Sequence, residues 1–195
     1  MPETGPYPAN LVELHRRAVD GFGHRVDAIR DDQWGEPTPC SDWDVRALVN
    51  HLVNENRWTP PLMEGRTIED VGDRFDGDLL GDDPHEQWAD ASAEALAAVG
   101  APGALDRTVH LSFGDTPAVE YVMQLTADHL IHAWDLARAI GADERLDPEI
   151  VAAIAAWFAP QEDGWRKVGI IGPRPPVADG ADEQTRLLAG YGRKA

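Results

Sequence analysis

Apolar residues recur at spacings of three and four along several stretches of this chain, and residues suited to helix ends bracket each stretch. Leu11, Leu14, Ala18, Phe22, Val26 and Ile29 form the first stripe and predict an amphipathic helix from about Ala9 to Asp31. Gly21 and Gly23 weaken its middle by roughly 1 kcal/mol each relative to alanine, so packing has to hold it. After Pro37-Thr38-Pro39, Ser41 with Asp44 three residues on reads as a variant capping box. It opens a predicted helix over 42–58, which Pro60-Pro61 stops. Asp83 as cap and Pro84 at the first helical position start the next helix; Trp88, Ala91, Ala95 and Val99 give its stripe and Gly100 its end. A long helix is predicted from Pro117 to about Ile140, closed by Gly141. Asp147-Pro148-Glu149 opens another, with Ile150, Val151, Ile154, Trp157 and Phe158 on its apolar side.

Other stretches lack that period. From Pro60 to Asp83 acids and glycines dominate, which reads as a long loop with little regular structure, either a lid or a mobile surface segment. Val109, Leu111 and Phe113 alternate with polar neighbours before the turn Gly114-Asp115-Thr116-Pro117, the mark of a half-buried strand and one short β-hairpin. Beyond Pro160 the pattern is irregular except for a short helix at 182–189. The fold expected is all-α: an antiparallel four-helix bundle with a long loop and an irregular C-terminal extension, one domain over residues 1–195. Its helices are 9–31, 42–58, 117–140 and one of 84–99 or 147–158, with Leu14, Phe22, Leu48, Leu52, Val122 and Leu136 in the core.

Charge narrows the partners. Against 35 acidic residues stand 17 Lys and Arg, a net charge of −18, which repels nucleic-acid phosphates and anionic lipid. The bland reading of such a surface is solubility. No apolar run approaches a bilayer span, and the Pro-rich, polar start Met1 to Asn10 lacks the form of a leader, so a cytoplasmic protein is expected, monomer or homodimer. The single cysteine, Cys40, excludes an internal disulfide framework and a multi-cysteine zinc site.

Candidate chemistry gathers in Asp128-His129-Leu130-Ile131-His132-Ala133-Trp134-Asp135. On a helix Asp128 and His132 share a face, about 5–6 Å apart at Cβ. His51 stands on the flank of the 42–58 stripe. One imidazole from one helix and a carboxylate–imidazole pair from another suit a divalent metal with positions left open for water or substrate. Read singly, His51 is a hydrogen-bonded core-edge residue and Asp128–His132 a helical hydrogen bond; the case for metal rests on their coincidence on two long helices. His129 lies on the buried stripe and either faces the core or joins the site, Glu55 is a proton acceptor or further ligand, and Asp135 orients His132 or bonds to backbone. His15, His24 and His85 read as surface groups; the seven tryptophans read as core fillers, with Trp58 and Trp134 the ones placed to wall a pocket instead. Cys40 has no base nearby in sequence and reads as packed, although a helix start beside it would favour a reactive thiol. Gly169-Ile170-Ile171-Gly172-Pro173 matches no nucleotide fingerprint.

Two segments are specific enough to carry a resemblance. Trp34, then the run from Pro37-Thr38-Pro39-Cys40-Ser41-Asp42-Trp43-Asp44 to Asn50-His51-Leu52, resembles the opening signature of the mycothiol-dependent maleylpyruvate isomerase N-terminal family. His132-Ala133-Trp134-Asp135-Leu136-Ala137-Arg138-Ala139-Ile140-Gly141 is similar to its second signature. Arg186-Leu187-Leu188-Ala189-Gly190-Tyr191-Gly192-Arg193 looks like the ending of a stand-alone actinobacterial subgroup. The resemblance implies the DinB-like four-helix bundle and a divalent metal, Zn²⁺ first and Ni²⁺ or another next, held by His51, Asp128 and His132. Asp128 stands where the isomerase has glutamate, and its shorter reach leaves room for His129 or a water. The isomerase carries a further C-terminal domain with no counterpart here, so maleylpyruvate isomerisation is not expected. What is implied is activation of a low-molecular-weight thiol of the mycothiol type toward a small electrophile, by transferase or isomerase-like chemistry. The alternative is a non-catalytic metal- or ligand-binding module.

Overall fold

The computed structural model describes residues 7–195; residues 1–6, part of the stretch read above for a leader, lie outside it. Its helices are Leu11–Val26 (α1), Val45–Met63 (α2), Ile68–Val71 (α3), Pro84–Val99 (α4), Ala118–Ile140 (α5), Pro148–Phe158 (α6), Glu162–Lys167 (α7) and Glu183–Gly190 (α8). Strands Thr108–Leu111 (β1) and Gly114–Pro117 (β2) pair antiparallel in the one sheet among the described residues.

The four long helices α1, α2, α4 and α5 make the bundle. Helix α1 packs against α4 and α5, and α2 packs against the same two, so α1 and α2 occupy opposite corners. The fourth bundle member is therefore α4, while α6 lies outside against α5 and α1 and carries α8 on its own flank. Leu14, Phe22, Leu48, Leu52, Val122 and Leu136 are all buried in the shared core. No helix among the described residues is long and apolar enough to cross a membrane.

Several boundaries differ from the expectation, each for a local reason. Helix α1 stops at Val26, and Ile29 reaches the core from the turn that follows. Helix α2 starts three residues late because Asp44, not Ser41, is the cap: its side chain accepts the Ala47 amide at 2.8 Å. It then runs through Pro60 and Pro61 to Met63. Two prolines in the last turn remove amides that would bond one turn back. Burial of Pro61, Leu62 and Met63 and the bonds Glu64 N to Pro60 O and Arg66 N to Pro61 O keep the turn closed.

The 60–83 segment is also more structured than its composition suggests. Thr67 and Asp70 form a reciprocal capping box for α3, and Leu80 is fully buried. Asn50 donates to Gly77 O and accepts from Leu79 N, Asn54 donates to Phe75 O at 2.6 Å, and Arg46 pairs with Asp78. The segment is thus laced onto α2 rather than mobile. In the hairpin Val109 faces the core, but Phe113 falls in the two-residue turn and is 73% exposed. Helix α7 fills part of the C-terminal stretch read as irregular.

Candidate functional site

Helices α2 and α5 are bundle neighbours, and their contact places His51 opposite Asp128 and His132. His51 Nε2 lies 3.0 Å from Asp128 Oδ2, and His132 Nε2 lies 3.3 Å from Asp128 Oδ1. One potential ligand atom from each of the three falls within 4.8 Å of the others. Asp128 is 31% exposed and His51 26%, against 8% for His132, so the cluster has one open side. Of the three, His51 also lines a hollow of about 350 Å³, together with Trp43, Ala47, Asn50, Asn54, Phe75, Asp76 and Gly77. A larger hollow of about 430 Å³ lies beyond Phe75 between α2, the 64–79 segment and α4, and does not touch the cluster.

The electrostatics follow from this crowding. Burial opposes the charge on Asp128, yet the two imidazoles beside it prevail and hold its carboxyl well below the usual range. Burial likewise opposes protonation of His132, but Asp128 on one ring nitrogen and Asp135 on the other raise it well above an ordinary histidine. Glu55, one turn beyond His51 on α2, has its carboxyl pushed up to about 7 by burial first and by the Asp128 charge second. A proton acceptor poised near neutrality therefore adjoins the cluster.

His129 does not join it. The ring is fully buried, and Nδ1 donates to the Leu125 carbonyl at 2.8 Å, as its place on the core stripe allows. His15 is also buried, contrary to the surface reading: it sits one turn from Leu11 on the same stripe, and its Nδ1 meets Thr126 Oγ1 at 3.1 Å. His85 is half-buried against Trp34, and only His24 of the three is exposed. The aromatic wall is Trp43, whose ring centroid is 4.7 Å from that of His51 and 5.7 Å from that of His132. Trp134 is buried, and Trp58 packs on Phe75 instead.

Behind His132 lies a second group, in which helix spacing indicates Asp135 but neither Cys40 nor Arg193. His132 Nδ1 donates to Asp135 Oδ2 at 2.9 Å, and Cys40 Sγ donates to the same oxygen at 3.3 Å. Arg193, from the far end of the chain, reaches both Asp135 and Cys40. Cys40, His132 and Asp135 have the donor types of a second cation site. The Arg193 guanidinium already supplies positive charge there. Cys40 also stands before the Asp44 cap rather than at a helix start, so its neighbours are these side chains and not helix amides.

The family follows from comparison. A model of the mycothiol maleylpyruvate isomerase N-terminal domain matches residues 15–137, a span holding Cys40, His51, Asp128, His132 and Asp135. The chain belongs to that family. Within the mycothiol maleylpyruvate isomerase N-terminal domain family it is similar to uncharacterized proteins of Mycobacterium tuberculosis strains CDC 1551 / Oshkosh and ATCC 25618 / H37Rv. Each is 35% identical over 173 residues, covering 85% of this chain and 84% of the relative. The crystal structure of the mycothiol-dependent maleylpyruvate isomerase aligns with a TM-score of 0.63 at 17% identity, over 85% of this chain and 73% of that one. A histidine-to-alanine mutant of that isomerase aligns with the same score at 16% identity. At such identity the likeness speaks to the shared fold.

Proposed function

We propose that His51, Asp128 and His132 hold a divalent metal, Zn²⁺ before Ni²⁺ or another ion, and that the protein activates a low-molecular-weight thiol of the mycothiol type. The observation that carries this reading is the convergence of two imidazole nitrogens and one carboxylate within 4.8 Å, with His51 also lining a hollow of about 350 Å³. The donor set suits the ion: two nitrogens and one oxygen, with room left for a substrate atom. A divalent ion bound there would supply Lewis acidity, stabilising a thiol as its thiolate near neutral pH. The chain's own groups do the rest. Glu55, one turn beyond His51 on α2, would accept the thiol proton. Trp43 and Phe75 supply the aromatic part of the hollow's wall. The sulfur would then form its new bond to a small electrophile; on addition the proton held by Glu55 would return to the product, and on displacement it would pass to the group that leaves with the bonding pair. Thiol dependence is named for the isomerase of this family, and this reading transfers that dependence without its substrate. The whole chain acts as one unit, because Arg193 of the tail reaches Asp135 behind His132.

A second reading, a non-catalytic metal- or ligand-binding module, has one observation in its favour: His51, Asp128 and His132 already satisfy one another by hydrogen bonds and ion pairing. Elemental analysis of the purified protein and of His51→Ala, followed by turnover of mycothiol with model electrophiles, separates the two. About one equivalent of metal, lost in the variant, with thiol turnover that chelation abolishes, is the expected result. Metal without turnover leaves the binding module, and no metal removes the proposal.

A further inference from the structure

Helix α8 ends in a tight stop. Gly192, at φ 82°, follows Tyr191; the Gly192 amide donates to Ala189 O at 2.9 Å and the Arg193 amide to Leu188 O at 2.8 Å. This is the paired bonding of a Schellman ending, which reverses the chain within one residue. A side chain at Gly192 would press within 3.3 Å of the Gly172 backbone, so the reversal is also packed from outside. Arg193 is thereby thrown back against α5.

There its guanidinium grips Asp135 along one edge, with Nε 3.1 Å from Oδ1 and Nη2 2.8 Å from Oδ2. Nη1 donates to Tyr191 O at 2.9 Å, and Nη2 also lies 3.1 Å from Cys40 Sγ. Asp135 has no exposed surface, and its Oδ2 accepts from His132 Nδ1. We infer that Arg193 is a positioning residue for the His51–Asp128–His132 cluster, holding Asp135 so that His132 keeps its hydrogen on Nδ1 and aims Nε2 at Asp128 and His51. The inference rests on the metal reading for its consequence. A carboxylate gripped by a planar fork is an acceptor of fixed direction, and the ring nitrogen bonded to it must be the donor. The opposite nitrogen then presents its lone pair to an ion. Lysine supplies charge but no fork, so it restores the role only in part.

The test uses the full chain and Co²⁺, whose visible spectrum reports ligand geometry. Arg193→Met should weaken Co²⁺ binding about 10–100-fold and alter the visible bands, as loss of an orienting partner does. Arg193→Lys should recover part of both. Arg138→Met is the control. It removes the same charge and another tail contact, the bond from Arg138 to Lys194 O, without touching Asp135, and should bind as wild type. Unchanged affinity and spectrum in Arg193→Met, or an equal loss in Arg138→Met, overturns the inference. If Arg193→Met fails to fold, Arg193→Lys carries the comparison. If wild type binds no Co²⁺, the metal reading fails by itself, and histidine ¹⁵N–¹H NMR of the metal-free protein decides the positioning. The hydrogen-bonded His132 Nδ1 proton should be present in wild type and lost or shifted in Arg193→Met; retention unchanged overturns it.

Discussion

The buried pair His15 and His129 should make the bundle sensitive to acid in a way one substitution can isolate. Thr126 Oγ1 donates to Val122 O at 2.6 Å, so the hydrogen between His15 and Thr126 belongs to His15 Nδ1. Nε2 of His15 is then a bare acceptor with no partner, in a fully buried ring. Burial first, and the neighbouring His129 second, lower the His15 pKa to about 3. In the unfolded chain it returns to about 6.5. The folded pKa is thus depressed, so its contribution to stability is intact above about 6.5 and is lost progressively as pH falls toward 3, because only the unfolded state takes the proton. Each pH unit in that window is worth up to about 1.4 kcal/mol, giving about 2 kcal/mol lost by about pH 5. His15→Leu removes the titration and the orphan acceptor at similar bulk. Urea unfolding followed by circular dichroism, with chelator present, should find the variant within about 1 kcal/mol of wild type at about pH 7.5 and about 2 kcal/mol more stable at about pH 5. Taking the difference between the two proteins cancels the carboxylates they share. A gap that does not widen with acid would mean that His15 is hydrated or charged in the fold, and the argument from burial fails.

Three further outcomes follow from geometry already described. Asp128→Ala and His132→Ala should lose bound metal with little change in helix content, whereas His129→Ala should keep it; on acidification wild-type affinity should start to drop before pH has fallen to about 6.5, because Asp128 and Asp135 raise His132 and a proton competes with the ion. Leu80→Ala should cost about 2–5 kcal/mol in urea unfolding, since the side chain is fully buried, while a truly mobile loop would give almost no change. Gly23→Ala should destabilise by about 1–3 kcal/mol, despite alanine's better helix propensity, because the new Cβ would meet Trp88 Nε1 at 2.9 Å; a stabilised variant would show that the indole moves freely.

The bundle is legible in the sequence because its long stripes run for several turns, and a period repeated that often outweighs any single misplaced residue. Asp128 and His132 are legible for the same reason, since four residues along a helix is a fixed geometry. His51 and its partners belong together only through the contact of α2 with α5, which periodicity does not report. Local punctuation misleads in two places. Pro60-Pro61 reads as a stop, but burial of the last turn holds α2 together through it. Ser41 reads as a cap, but Asp44 is the residue whose oxygen meets the free amide. His15 is read as exposed from its charged neighbours, although its spacing from Leu11 already sets it on the core face. Trp43 and Arg193 lie within the segments that carry the family resemblance, but no periodicity or spacing assigns either to the site. Each becomes part of the site through a turn geometry, before α2 and after α8, that places a distant segment against α5.

The diagonal placement of α1 and α2 also bears on the order in which the molecule assembles. His51 and Asp128 are 77 positions apart, and their helices meet only as neighbours in a four-cornered packing that α1 and α4 complete. Closing so long a loop is slow and costs entropy before any contact is gained. The cluster is complete only once both helices have docked, so it belongs to the assembled bundle and to neither helix alone. An ion that needs both helices would find little to bind in the folding transition state and would act chiefly on the finished fold. It would slow unfolding much more than it speeds folding, and the lifetime of the native state would rise with ion concentration.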